Sequence, residues 1–177
     1  MKFSGDLEDI RVTPLSHHHI LIAMGLGSVI RGLTVALVTY IVGVIFYYFQ
    51  FNGFLGISHP IVLTYFVLVG GFVFGLLGIC VGFWAKSVEN MAAFTNFILL
   101  PLLYLGGVFV SIETLPTWAK TVSSYNPVLY LINGMRYGVL GISDVDLTQS
   151  IVVSGAGLVL LYGLAFLALK KANFSRW

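Results

Sequence analysis

The chain has 177 residues, of which 58% are hydrophobic and only 9% charged, with a mean hydropathy of +0.97. Soluble domains carry about 25% charged residues, so a soluble globule is excluded. The formal net charge of +2 is a lipid-surface asymmetry rather than a nucleic-acid signal.

Residues 1–20 are polar and mixed in charge. Ser4 or Asp6 can cap a short helix whose first turn gains from Asp6, Glu8 and Asp9. Thr13-Pro14 ends it, because the residue before a proline is pushed to extended geometry. A second helix then begins near Leu15 and runs into the first apolar stretch, which is too long for the core of a cleavable signal peptide. A short amphipathic helix at this place is either a docking element for a soluble partner or an interfacial helix resting on the membrane. His17-His18-His19 is a poor metal site, because adjacent helical positions point about 100° apart. A solvated membrane-entry segment without metal is expected there.

Charge-free gaps define the spans. No Asp, Glu, Lys or Arg lies between Gly32 and Ala85, between Asn90 and Ile112, or between Leu147 and Leu169. A helix needs about 20 apolar residues to cross the hydrocarbon core, so the first gap holds two crossings and the others one each. The turn residues Gln50-Phe51-Asn52-Gly53 and Gly56-Ile57-Ser58-His59-Pro60 divide that first gap. The expected spans are 22–49, 61–84, 91–110 and 150–169. A β-barrel is excluded, since its strands alternate polar and apolar residues whereas these runs are apolar all round. The predicted fold is an all-α integral membrane protein with four transmembrane helices, forming one membrane domain over 1–177. Lys2, Arg11, Lys86, Lys170, Lys171 and Arg176 fall on one side of it, and Lys120 and Arg136 on the other. The positive-inside rule then predicts that both termini are cytoplasmic and that 111–149 is external.

Within the spans, Arg31 has two readings. It snorkels to the cytoplasmic headgroups, the reading favoured if the membrane boundary lies near Gly27, or it faces a wet interior and meets an anionic group. Tyr40 and Tyr47 share a face of the first span; they line a path or anchor at headgroups. Gly71, Gly75, Gly78 and Gly82 form one stripe on the second span, where another helix can approach closely. Pro101, with Asn96 nearby, is expected to kink the third span and free a carbonyl. Cys80 is the single cysteine and forms no intrachain disulfide.

The stretch 106–141 carries Leu115-Pro116, Trp118, Asn126-Pro127, Tyr130 and Arg136. Pro116 and Pro127 each suit the first turn of a short helix, where a missing N–H costs nothing. Trp118, Tyr125 and Tyr130 prefer headgroup level. Two short helices that dip into the outer leaflet and return are expected.

This order of residues resembles the permease subunits of ABC-2 type exporters, in which a small-residue and aromatic stretch leads into Leu-Pro-x-Trp, then Asn-Pro, then an Arg before the last span. The amino-terminal Asp6-Leu7-Glu8-Asp9-Ile10-Arg11-Val12-Thr13-Pro14-Leu15-Ser16 is similar to the family's link between its second and third spans. The resemblance implies that residues 6–14 form a coupling helix seated on a separate ATPase subunit. It implies a second permease copy or related chain, a path along the interface between them, and location in the inner (plasma) membrane. It also implies that ATP and Mg are bound by the partner subunit and no cofactor by this chain. Family permeases have six spans, so this chain is expected to correspond to their last two-thirds.

GxxxxGK[ST] is absent, so any ATP hydrolysis would belong to another chain. Glu113 is solitary, Asp144 and Asp146 share a polar turn, and no Ser/His/Asp order or metal cluster suggests an enzyme. The alternative to a transport subunit is a truncated or non-transporting structural or assembly protein of the membrane.

Overall fold

A computed structural model of the chain describes residues 16–109 and 111–171. Among these the architecture is helical: α1 (His17–Phe51), α2 (Pro60–Trp84), α3 (Val88–Leu105), α4 (Thr117–Ser124), α5 (Pro127–Leu140) and α6 (Leu147–Lys171). Helices α1, α2, α3 and α6 are long and apolar enough to cross a membrane. Each of the four overlaps an expected span: α1 and α6 run past their apolar stretches at both ends, α2 matches to within a residue, and α3 begins three residues before the expected 91 but stops at Leu105, five short of the expected 110. Polar caps, not the first apolar residue, set the starts of α1 and α3. Ser16 caps α1, accepting from the His19 N–H at 3.4 Å, and Ser87 caps α3, accepting from the Asn90 N–H at 3.3 Å. At its other end α1 stops at Asn52, which takes a left-handed conformation with φ 50°.

Helix α2 is the hub. Leu21 of α1, Leu76 and Ile79 of α2, and Ala165 and Leu169 of α6 bury together near one end of the bundle. Phe66 and Val73 of α2 bury with Leu131 of α5 nearer the other. Two turns are stitched at that second end, where the Ser58 and His59 N–H groups donate to the Val139 and Gly138 carbonyls at 3.1 and 2.9 Å.

The glycine stripe on α2 divides in two. A Cβ at Gly75 would lie 2.6 Å from Ser28 of α1, and one at Gly71 3.0 Å from the Val29 Cα, so these two glycines seat α1 on α2. Gly78 and Gly82 face open space. Gly75→Leu is therefore expected to push α1 away, at a cost of about 1–3 kcal/mol in thermal or denaturant unfolding in detergent. Gly78→Leu is expected to leave the stability of the isolated chain unchanged. A harmless Gly75→Leu would mean that α1 and α2 do not meet there.

Helix α3 stands apart. None of its described residues is buried, and Phe97 and Tyr104 are 81% and 62% exposed. Its middle, Thr95–Leu99, forms a π-helical turn in which the Leu100 N–H reaches the Thr95 carbonyl. The expected disturbance by Pro101 thus takes the form of a widened turn just before the ring, which makes room for a residue that cannot donate.

Candidate functional site

Between α3 and α6 the chain folds back along the bundle. Pro127 opens α5, and Gly141 closes it in a left-handed conformation with φ 73°. Pro116 sits one residue earlier than expected, as the extended residue that precedes α4. Along α5, Leu131 lies beside Phe66 and Val73, while Gly138 reaches Leu63. Helix α5 therefore starts beside the middle of α2 and climbs to its first turn. The Asn126 side chain holds the lower end: it donates to the Leu102 carbonyl of α3 at 2.6 Å and caps α5 by accepting from the Val128 N–H at 3.0 Å. Tyr130 secures α4 by donating to the Ser124 carbonyl at 2.8 Å. Helix α4 buries Ala119 and Ser123 and turns Trp118 and Val122 outward, with Trp118 70% exposed.

Arg136 and Asn133 pin the upper part. Arg136 pairs with Asp144 at 2.6 Å and donates to the Gly107 carbonyl. Asp144 also accepts from the Ser111 hydroxyl at 2.9 Å and the Ile112 N–H at 3.1 Å. Burial pushes the Asp144 carboxyl up, but the bonds from Ser111 and Ile112 and the Arg136 charge outweigh it, holding the carboxyl below its ordinary range. It stays ionised at neutral pH. One guanidinium and one carboxylate thus join α5, the loop after α3 and the loop before α6.

Asn133, one turn back on the same face, is 1% exposed. Its carbonyl oxygen accepts from the Asp144 N–H at 2.8 Å and the Val145 N–H at 3.3 Å. Its amide nitrogen lies 2.9 Å from the Val145 carbonyl and 3.0 Å from the Ser143 and Ser150 hydroxyls. Asn133, Ser143, Asp144 and Ser150 were not among the sequence-predicted site residues. The readable signal was a polar pair, Asn133 and Arg136, three apart on one face of an otherwise apolar helix.

The profile of the ABC-2 type transporter family matches residues 1–140, the amino-terminal segment and all of α1 to α5. This chain belongs to the ABC-2 type transporter family. The inner membrane transport permease YadH of Escherichia coli (strain K12) is 35% identical over 161 residues, covering 91% of this chain and 60% of that protein. The daunorubicin resistance ABC transporter permease protein DrrB1 of Streptomyces coeruleorubidus is 27% identical over 162 residues, covering 89% of this chain and 55% of that protein. The chain spans about 60% of the length of the curated relatives such as YadH that it matches. No solved structure matches it.

The sequence-predicted residues of this ABC-2 chain fall into separate places. Leu115, Pro116, Trp118, Asn126, Pro127, Tyr130 and Arg136 all lie on or beside the α4–α5 pair. Arg31 and Tyr40 lie on α1, and Asn96 and Pro101 on α3, two helices that do not touch. Tyr40 donates to the Leu55 carbonyl in the α1–α2 turn at 2.7 Å. His18 stacks on Phe166 and lies 2.7 Å from the Tyr162 hydroxyl, so it ties the start of α1 to α6. The coupling residues Asp6, Leu7, Glu8, Asp9, Ile10, Arg11, Val12, Thr13 and Pro14 lie outside the described residues.

Proposed function

We propose that this chain is the membrane-spanning permease subunit of an ATP-binding cassette exporter. The observation that carries this reading is its 35% identity with a transport permease across 91% of the chain. In this reading the four long helices cross the inner membrane with both termini cytoplasmic. The positions of the basic residues support that orientation: Lys170 follows Leu169 in the Leu21–Ile79 cluster, and Lys86 follows α2 at the same end. Two copies, or this chain and a related one, enclose the translocation path. The exposed faces of α1 and α3, which find no neighbour among the described residues, suit that interface. The α4–α5 pair is an external re-entrant hairpin. Its seat beside the middle of α2 and its pins at Asn126, Asn133 and Arg136 favour a rigid cap over the exit.

ATP with Mg is bound and hydrolysed by a separate subunit, and residues 6–14 couple its closure to the spans. Closure drives transport only if the path has two arrangements of different affinity for cargo, and a helix rigidly seated on both partners would bias that equilibrium. The test is isolation of the protein from native membranes in mild detergent, with its companions identified by mass spectrometry. A P-loop ATPase near one-to-one supports the reading; its absence favours a structural membrane protein. Replacing Glu8 and Asp9 together by Lys is expected to weaken that complex on the order of tenfold or more, because two attractive charges become repulsive. A complex of undiminished affinity would remove the coupling role from this segment.

A further inference from the structure

Arg31 lies near the middle of the bundle, which the packing register measures from both ends. On one side, Leu21 buries with Leu169, the residue before Lys170. Arg31 is ten residues beyond Leu21 on the same helix, or about 15 Å along its axis. On the other side, Tyr40 bonds the α1–α2 turn at Leu55, and it is nine residues beyond Arg31, or about 14 Å. Helix α2 agrees: Gly71, where α1 crosses at Val29, is eleven residues after Pro60 and thirteen before Trp84. In a hydrocarbon core about 30 Å thick, neither surface is within reach of an arginine stem from that depth. Snorkelling does not fit.

The direction of the side chain is equally informative. Leu21, Gly25 and Val29 form the face of α1 that packs inward. Arg31 is two positions past Val29, about 200° around the helix, and it is exposed. It makes no hydrogen bond or ion pair with the described residues. The surface around it is apolar, with Ile30, Val35 and Val38 each more than half exposed. An unpaired charge facing lipid at that depth is costly, so the face needs water and a counter-charge. The described spans supply none at that depth, in this copy or a second one, since the sequence has no Asp or Glu between Asp9 and Glu89 and none in the span of α6.

We propose that Arg31 is the anion-recognition residue of the path, engaging the phosphate, sulfate or carboxylate of an amphiphilic cargo whose apolar body lies along Ile30, Val35 and Val38. This rests on the permease reading and names the cargo class for it: an organic anion with an apolar portion. The lone cation sets the sign of the headgroup, and the apolar surround favours an amphiphile over a small hydrophilic ion.

Thiol labelling in native membranes tests this without a known cargo. In a Cys80→Ser background, Thr34→Cys places a reporter three residues beyond Arg31, on the same face. Val38→Cys is a second reporter if the first does not accumulate. A sulfonated methanethiosulfonate is expected to label the thiol about tenfold faster than a trimethylammonium analogue, after correction for their rates with free thiol. Arg31→Gln is expected to abolish the preference and Arg31→Lys to keep it. Dodecyl phosphate is expected to slow labelling, whereas inorganic phosphate and dodecyl maltoside leave it unchanged. No labelling would show a lipid-facing arginine and overturn the proposal, as would equal rates for the two reagents. Equal protection by inorganic phosphate would overturn the amphiphile assignment. Failure of the permease reading would appear elsewhere, as absence of an ATPase from the native complex.

Discussion

Asn133→Ala is expected to destabilise the protein by on the order of 3 kcal/mol and to release the α5–α6 connection from the bundle. The side chain is almost wholly enclosed, at 1% exposure, and it serves two backbone N–H groups, one carbonyl and two serine hydroxyls. Removing it leaves those groups facing each other across a small cavity. Each buried polar group without a partner costs about 1–3 kcal/mol, although Ser143 and Ser150 retain alternatives. Ser143 donates to the Val145 carbonyl, and Ser150 donates to the Asp146 carbonyl at 3.2 Å. The Asp144 and Val145 N–H groups have no such substitute among the described residues. Ser150→Ala is the internal control: it removes one of several acceptors for the amide and is expected to cost about 1 kcal/mol or less. Unfolding in detergent, followed by heat or by added denaturing surfactant, reads both variants. A loss for Asn133→Ala no larger than for Ser150→Ala would show that the network does not hold the turn.

The spans were legible in the sequence because a bilayer tolerates few unpaired charges, so gaps between charged residues mark crossings almost directly. The caps were less so: Ser16 and Ser87 extend α1 and α3 beyond their apolar runs, and a polar residue there resembles loop until its side chain is seen bonding the helix. The Asp144 partnership was not legible. Asp144 looks like one of two carboxylates in a polar turn, and its bonds to Ser111 and Ile112 span more than thirty residues. Nothing periodic announces such contacts; only the fold-back of α5 brings the two loops together.

Arg31 shows a different limit. Its two readings depended on where along α1 the membrane begins, and an apolar helix 35 residues long contains no mark of that boundary. What the neighbours add is a position within the bundle, with Leu169 beside Leu21 toward one end and Leu55 beside Tyr40 toward the other. The glycine stripe was visible as a spacing, but which half meets a helix of the same chain depended on Val29 and Ser28.

Gly138→Ala is expected to cost about 3 kcal/mol, against less than about 1 kcal/mol for Gly70→Ala, although both add one methyl between α2 and α5. The difference lies in what each methyl meets. At Gly138 a Cβ would stand 2.8 Å from the Leu63 Cα and 2.9 Å from the Leu63 nitrogen, and a backbone cannot rotate aside. That backbone is also fastened: the Leu63 N–H donates to the His59 carbonyl at 3.0 Å, and the His59 N–H donates to the Gly138 carbonyl itself at 2.9 Å. Relief requires moving α5 as a body, which strains the Arg136–Asp144 pair and the Asn133 network on the same helix. At Gly70 the obstacle is the Met135 Cε at 2.9 Å, the far end of an unbranched side chain with rotamers to spare. Gly134 falls between them. Its Cβ would strike the Phe66 ring at 2.3 Å, a side chain that can turn in principle but is fully buried and central to its cluster. Unfolding midpoints in detergent are expected to fall in the order Gly70→Ala, Gly134→Ala, Gly138→Ala, the last being lowest. If Gly138→Ala matched Gly70→Ala, α5 would not be seated against α2, and the rigid cap inferred from its pins would lose its foundation.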